Sequence, residues 1–287
     1  MTVELPDVAR VTLEVPAREE RSELLVGAGV RSAIPDLLRG YAPAHRYAVI
    51  SDDNVAPLHA EPLVSRLRQA GLAADPFTFP AGEASKNAGT WADLLESLAR
   101  AGVGRDGCVI AVGGGVTGDL AGFVASTFGR GVPLVQVPTS LLAMIDASIG
   151  GKTGIDLAAG KNLAGTFHQP RIVIADPEVL ETLPDAELRG GLAEAVKHGA
   201  IADGEYLEWM ATGAPAILSR EAQSLRHLIE VSVRIKAGFV AEDARESGAR
   251  AALNFGHTVA HGIEAVSGYA VPHGQAVAMG MVVEARL

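Results

Sequence analysis

Short apolar runs separated by helical patterns dominate residues 1–180. They are Tyr47–Ile50, Phe77–Phe79, Cys108–Val112, Val132–Val137 and Ile172–Ala175. Apart from Thr78 in the shortest run, none alternates apolar with polar positions, as a strand with one wet face would, so they predict strands buried on both sides. Between them, Leu58, Leu63 and Leu67 with a stop at Gly71, and Leu94, Leu95 and Leu98 within Thr90–Ala101, mark helix faces. Strand and helix in turn predict an α/β domain with a mostly parallel, Rossmann-like sheet. Val11–Val15 and Leu24–Gly27 are candidate edge strands. After Thr182-Leu183-Pro184 the pattern changes. Glu187–His198, Tyr206–Met210, Ala216–Ala241, Ala249–Val266 and Gly274–Leu287 all read as helices, with no comparable strand. The expectation is an α/β domain over 1–180, an all-helical domain over 181–287 and an active site in the cleft between them.

Composition narrows the field. The chain has 287 residues, 48% of them apolar and 20% charged, which is ordinary for a globular fold and far from disorder. Its net charge of −10 disfavours broad binding to nucleic acid, yet leaves room for a small anion where lysines cluster. The lone Cys108 excludes an intrachain disulfide, and its place inside an apolar run makes it a small core residue. Met1–Arg10 shows early acids and no apolar leader core, and the least polar window, Gly131–Gly150, is broken by Pro133, Pro138 and Asp146. A cytoplasmic enzyme away from the membrane is the expectation.

Chemistry enters at Gly113-Gly114-Gly115-Val116-Thr117-Gly118-Asp119, which follows one strand-like run and precedes an apolar helix. The first turn of a helix has unpaired N–H groups, so strand, glycine turn and helix together prepare a place for an anion. The spacing is not the dinucleotide fingerprint G-x-G-x-x-G. Near it lie Asp146, which interrupts an apolar face, then Gly150-Gly151-Lys152-Thr153 and Gly160-Lys161-Asn162. A phosphate-loop pattern would need glycine where Asp146 stands, so triphosphate hydrolysis is disfavoured. Lys152 and Lys161 remain sensible anion ligands.

The helical half adds Glu194 and Lys197, three apart on one face, where an ordinary salt bridge is the simplest reading. It also adds Asn254, His257 and His261, and His273 at a helix start. Two histidines four apart, with a carboxylate and a further histidine, form a set compatible with zinc or cobalt. The residues between the pair are Thr258, Val259 and Ala260, so no H-E-x-x-H protease motif exists. Spacing favours His257 with His261 and leaves one histidine for acid–base or phosphate work.

These blocks, in order from Leu24 to Glu284, resemble the 3-dehydroquinate synthase family within the wider sugar phosphate cyclases. They are Gly113–Phe123, Gln136–Ala143, Asp146–Thr153, Gly160–Asn162, the Glu194 helix, Asn254–Thr258 and His273-Gly274. Ser140 stands where the family commonly has a second threonine, and the hydroxyl is kept. The resemblance implies NAD in the α/β domain and a divalent metal, zinc before cobalt, held by Glu194, His257 and His273. That assignment overrides the spacing argument and frees His261 for the substrate. It also implies NAD contacts at Asp52, Asn54, Glu83, Lys86, Gly114, Gly115, Val116, Asp119, Thr139, Ser140, Asp146, Lys152, Lys161 and Thr182. Substrate contacts are implied at Asp146, Lys152, Asn162, Lys197, Lys236, Arg250, Asn254 and His261. Arg130 is expected to reach a neighbouring subunit's site, hence a homodimer. The implied reaction converts a phosphorylated sugar acid, 3-deoxy-D-arabino-heptulosonate 7-phosphate, to 3-dehydroquinate and phosphate. Other sugar phosphate cyclases, a polyol dehydrogenase of similar layout and an inactive fragment are the rival readings. The run to Leu287 reads as the interior of a helix, and family members continue for some tens of residues.

Overall fold

The computed structural model describes residues 21–244, 248–268 and 270–287. Six strands form one sheet in the order β1-β8-β5-β4-β2-β3, where β1 is Glu23–Val26, β2 Tyr47–Asp52 and β3 Ala74–Phe79. β4 is Cys108–Gly113, β5 Leu134–Pro138 and β8 Ile172–Ala175. Every pairing is parallel. Alternate residues of the central strands enter two different cores, which is why their sequences show no polar face. Tyr47, Val49, Cys108, Ile110 and Val112 pack under α1 (Ile34–Tyr41) and α2 (Glu61–Gln69). Ala48, Ile50, Val109 and Ala111 pack under α3 (Ala88–Arg100) and α4 (Gly115–Thr127). The edge strand at Leu24–Gly27 forms as β1 over Glu23–Val26, whereas Val11–Val15 lies outside the described residues.

The chain leaves β2 toward β3 on one side and leaves β4 toward β5 on the other. Loops that diverge at the carboxyl ends of adjacent parallel strands open a crevice, the preferred ligand position in such sheets. Asp52 ends β2 and the glycine turn ends β4, so the expected cofactor residues flank this switch point.

One feature escaped the periodicity reading. β6 (Lys152–Leu157) and β7 (Gly160–Phe167) form an antiparallel hairpin against α4. Its glycines and lysines suggest anion ligands and carry no strand signal. Gly154 and Gly165 lie opposite each other, and a Cβ on Gly165 would stand 2.1 Å from the Thr153 carbonyl oxygen. Glycine here marks a close strand pair as well as a turn.

After β8 the structure is helical: α5 (Asp185–Ala202), α6 (Gly204–Leu218), α7 (Ala222–Glu242), α8 (His257–Val266) and α9 (His273–Glu284). Two expected helices divide. Ala216–Ile217 finish α6, and the chain turns at Arg220 with φ +61° before α7. A 3₁₀ segment, Ala249–Asn254, ends at Phe255-Gly256 before α8. A third core joins Leu141–Ile149 to α5, α6 and α7. α8 and α9 cross so closely that a Cβ on Gly280 would lie 2.0 Å from the Gly256 oxygen. Glu284 of α9 accepts hydrogen bonds from the Gly256 and Val259 amides at 2.6 and 3.2 Å, satisfying free donors at the start of α8.

Candidate functional site: a carboxylate–imidazole cluster beside a glycine turn

Glu194 lies on α5, fully buried, facing the start of α8 and α9. Its Oε1 is 3.7 Å from His257 Nε2 and 3.6 Å from His273 Nε2. One ligand atom from each of the three residues falls within 4.8 Å of the others. Three helices therefore deliver one group each, and only the topology brings them together. Lys197, one turn beyond Glu194, forms the ion pair that its spacing suggests. Neither Glu194 oxygen nonetheless receives a well-directed hydrogen bond. Oε1, without a hydrogen bond, faces two imidazole nitrogens, and a divalent cation would satisfy all three. One oxygen and two nitrogens, without sulfur, suit zinc or cobalt. His261 is exposed, with its ring centroid 5.7 Å from that of His257, and is outside the cluster. The i, i+4 spacing therefore does not select the pair that meets Glu194.

Asp146 sits in a single π-helical turn, Ala143–Ala147, next to this cluster. Lys236 of α7 places Nζ 2.5 Å from Asp146 Oδ1, and His198 Nε2 lies 3.7 Å from the same oxygen. Burial pushes the Asp146 carboxyl up, but Lys236, Lys197 and His198 outweigh it and hold the group well below the usual carboxylate range. Burial lowers the Lys236 ammonium, and Lys197 and Arg250 add to that against the pull of Asp146. Lys197 is raised, because Asp146 and Glu194 together overcome its burial. Glu194 is lowered: His273, Lys197 and His257 outweigh burial and the repulsion of Asp146. His273 is raised by its contact with Glu194, whereas burial lowers His257.

Arg250 is fully buried, donating to the carbonyl oxygens of Ala244 at 3.0 Å and Gly150 at 3.4 Å. Gly150 has φ +100°, and a Cβ there would lie 2.4 Å from the guanidinium, so glycine makes room for the arginine. Three cations, Lys197, Lys236 and Arg250, thus surround two carboxylates in one buried region. Asn254 is exposed just before α8.

The expected cofactor residues collect at the sheet's switch point. Asp52 Oδ1 accepts the amides of Asn54 and Val55 at 3.0 and 2.9 Å, and Oδ2 accepts the Thr117 hydroxyl at 3.2 Å. The tips of β2 and α4 are tied there. Gly114 precedes α4, with Gly115 and Val116 in its first turn. The Thr139 amide donates to the Gly113 carbonyl at 2.9 Å, and the Ser140 hydroxyl accepts from the Ala143 amide at 3.2 Å. Lys86 is buried between Asp119 Oδ2 at 2.6 Å and Asn162 Oδ1 at 2.5 Å. Burial lowers the Lys86 ammonium, but Asp119 outweighs it and keeps the group raised. Asn162, expected at the substrate, is thereby joined to two residues expected at the cofactor. Lys161 lies 3.7 Å from Glu83, and Lys152 is exposed at the start of β6. Thr182 meets His59, a residue the sequence did not single out, at 2.9 Å. Arg130 is exposed beyond the last turn of α4, roughly 20 Å along that helix from the glycine turn. Within one chain it stands apart from the cluster.

Three further residues were not legible as site groups: His59, His198 and Glu264. His198 had one usable signal, since it lies four after Glu194 and shares its helix face.

Comparison with known proteins places this geometry. Residues 76–190 match the 3-dehydroquinate synthase N-terminal family model, and residues 191–287 match the 3-dehydroquinate synthase C-terminal model. A 3-dehydroquinate synthase of Symbiobacterium thermophilum is 50% identical over 270 residues, covering 94% of this chain and 75% of that protein. One from Geobacter sp. strain M21 is 44% identical over 273 residues, with the same coverage of each chain. Among solved structures, 2-epi-5-epi-valiolone synthase of Streptomyces hygroscopicus, with NAD+ and Zn2+ bound, superposes with a TM-score of 0.84 at 31% identity, covering 94% of this chain and 75% of its own. A 2-deoxy-scyllo-inosose synthase complexed with carbaglucose-6-phosphate, NAD+ and Co2+ also scores 0.84, at 28% identity, covering 91% and 70%. Maleylacetate reductase of Agrobacterium tumefaciens scores 0.67 at 17% identity over 93% and 73%, a likeness of fold. With two family models spanning residues 76–287 and relatives this similar over most of both chains, the protein belongs to the 3-dehydroquinate synthase family.

Proposed function

We propose that this chain converts 3-deoxy-D-arabino-heptulosonate 7-phosphate to 3-dehydroquinate and phosphate, with NAD and a divalent metal, zinc before cobalt, as cofactors. The observation that carries the reading is the buried Glu194 carboxylate, open toward His257 Nε2 and His273 Nε2, beside a parallel-sheet switch point. When bound, NAD accepts and returns one hydride at a substrate carbinol, and the metal polarises the oxygens there, so no net oxidation occurs.

The chain's own residues supply the rest. Glu194, His257 and His273 would hold the metal through one oxygen and two nitrogens. Asp52, at the tip of β2, takes the ribose end of NAD, and the open amides of the glycine turn take its pyrophosphate. Asn54, Glu83, Lys86, Asp119, Thr139, Ser140, Lys161 and Thr182 complete that side. Lys152, Lys197, Lys236 and Arg250 clamp phosphate and carboxylate, fixing the leaving group in line for elimination. Asp146 keeps Lys236 placed between the two halves of the site, with Asn162, Asn254 and His261 around the substrate. Arg130 contributes across a subunit boundary in a homodimer.

The deciding experiment measures phosphate release with NAD in catalytic amount, with and without chelator. Phosphate release that the chelator abolishes, without lasting NADH absorbance, is expected. Stoichiometric NADH would replace this reading with a polyol dehydrogenase. Release from glucose 6-phosphate or sedoheptulose 7-phosphate alone would make it another cyclase.

A further inference from the structure

Both imidazoles of the cluster turn Nε2 toward Glu194, so each must place its other nitrogen somewhere. His257 Nδ1 faces the Phe255 carbonyl oxygen at 3.4 Å, a neutral acceptor. His273 Nδ1 instead faces Glu264 Oε1 at 3.3 Å. Glu264 is 5% exposed, and among the described residues His273 is its one ion-pairing partner. Burying a carboxylate costs several kcal/mol unless a partner compensates it, so the contact calls for a donor proton on Nδ1. An imidazole that offers Nε2 to a cation carries its proton on Nδ1, which is the tautomer Glu264 selects.

We infer that Glu264 is a positioning residue of the metal site: it accepts the Nδ1–H of His273, fixing that ring's tautomer and plane, and touches neither cation nor substrate. The inference deepens the reading above and rests on Glu194, His257 and His273 being the metal ligands. Its geometry is built into two helices. His257 and Glu264 are seven residues apart on α8, two turns along one face, and α9 brings His273 against that face. One helix face therefore carries both a ligand and the carboxylate that aims the ligand of its neighbour. The two histidines are oriented by unlike acceptors. The carboxylate makes His273 the more electron-rich donor and the one whose orientation depends on a side chain.

The test uses the full chain, stripped of metal and titrated with Zn2+ against a chromophoric chelator, and separately with Co2+ to read its visible absorption. Glu264→Gln keeps the shape and a neutral acceptor; Glu264→Leu removes the acceptor. Zinc affinity should fall about tenfold in the first and toward about a hundredfold in the second, with altered cobalt bands in both. NAD affinity of the metal-free protein should hold within about twofold, since the Glu264 carboxylate pairs with His273 of α9. Wild-type zinc affinity and an unchanged cobalt spectrum in Glu264→Gln would overturn the inference, even if the variant melted earlier. Should Glu264→Leu fail to fold, Glu264→Gln alone decides. Wild-type protein that binds no metal would instead defeat the ligand assignment itself, an outcome visible before any variant is made.

Discussion

Lys236 Nζ lies 2.5 Å from Asp146 Oδ1, an ion pair set between α7 and the π-helical turn that precedes the β6–β7 hairpin. Asp146 has only carboxylate character to offer there, and its neighbours hold it ionised. Its folded-state acid constant is lower than that of the unfolded chain, so its share of stability is complete above the ordinary carboxylate range. That share begins to fall once the pH drops below the unfolded value, and is lost as the pH passes through the lower folded-state value.

Asp146→Asn should therefore melt below wild type at neutral pH, and the gap should narrow as the pH falls from about 5 through the ordinary Asp value of about 4 and below it. Thermal melts across that window check it. A gap that stays constant or widens on acidification would show that the carboxylate charge contributes nothing to folding.

Glu194→Ala and His257→Ala should each lose bound metal and drop turnover on the order of a hundredfold or more. Metal content measured on the purified variants decides the point. Full metal occupancy in both would place the cation elsewhere.

Lys197→Ala should weaken kcat/KM for the sugar phosphate by roughly ten- to a hundredfold while NAD affinity moves within about twofold. Lys197 is buried and paired with Glu194, a residue of the metal cluster, so the split separates substrate from cofactor handling. Equal losses in both would argue for general disruption.

Gly280→Ala places a methyl where the Gly256 carbonyl oxygen already stands, so α8 and α9 must move apart. A loss of roughly 1–3 kcal/mol in urea unfolding is expected. Because Gly256 immediately precedes His257, zinc affinity should fall with it. A variant as stable as wild type would mean the two helices slide without cost.

Much of this arrangement could be read before the fold was known. Cys108–Val112 and Ile172–Ala175 are apolar throughout because both faces of each strand meet a core, and that absence of alternation is a local signal. The Lys152–Phe167 hairpin had no such signal. Its strands cover only one side of α4, and its glycines, required where Gly154 and Gly165 approach, imitate a loop. The metal set shows the same limit. Spacing detects His257 and His261 because one helix holds both, but it is blind to His273, which a separate helix brings in. Glu194 gave only a salt-bridge pattern with Lys197. The family resemblance selected the three that the topology in fact brings together.

Glu284 grips the first amides of α8 from the last turn of α9, so the position of His257 is governed by a residue far along the neighbouring helix. Any change that frays the final turn of α9 would release the Gly256 and Val259 amides and so loosen the backbone that carries His257, with no substitution in the pocket at all.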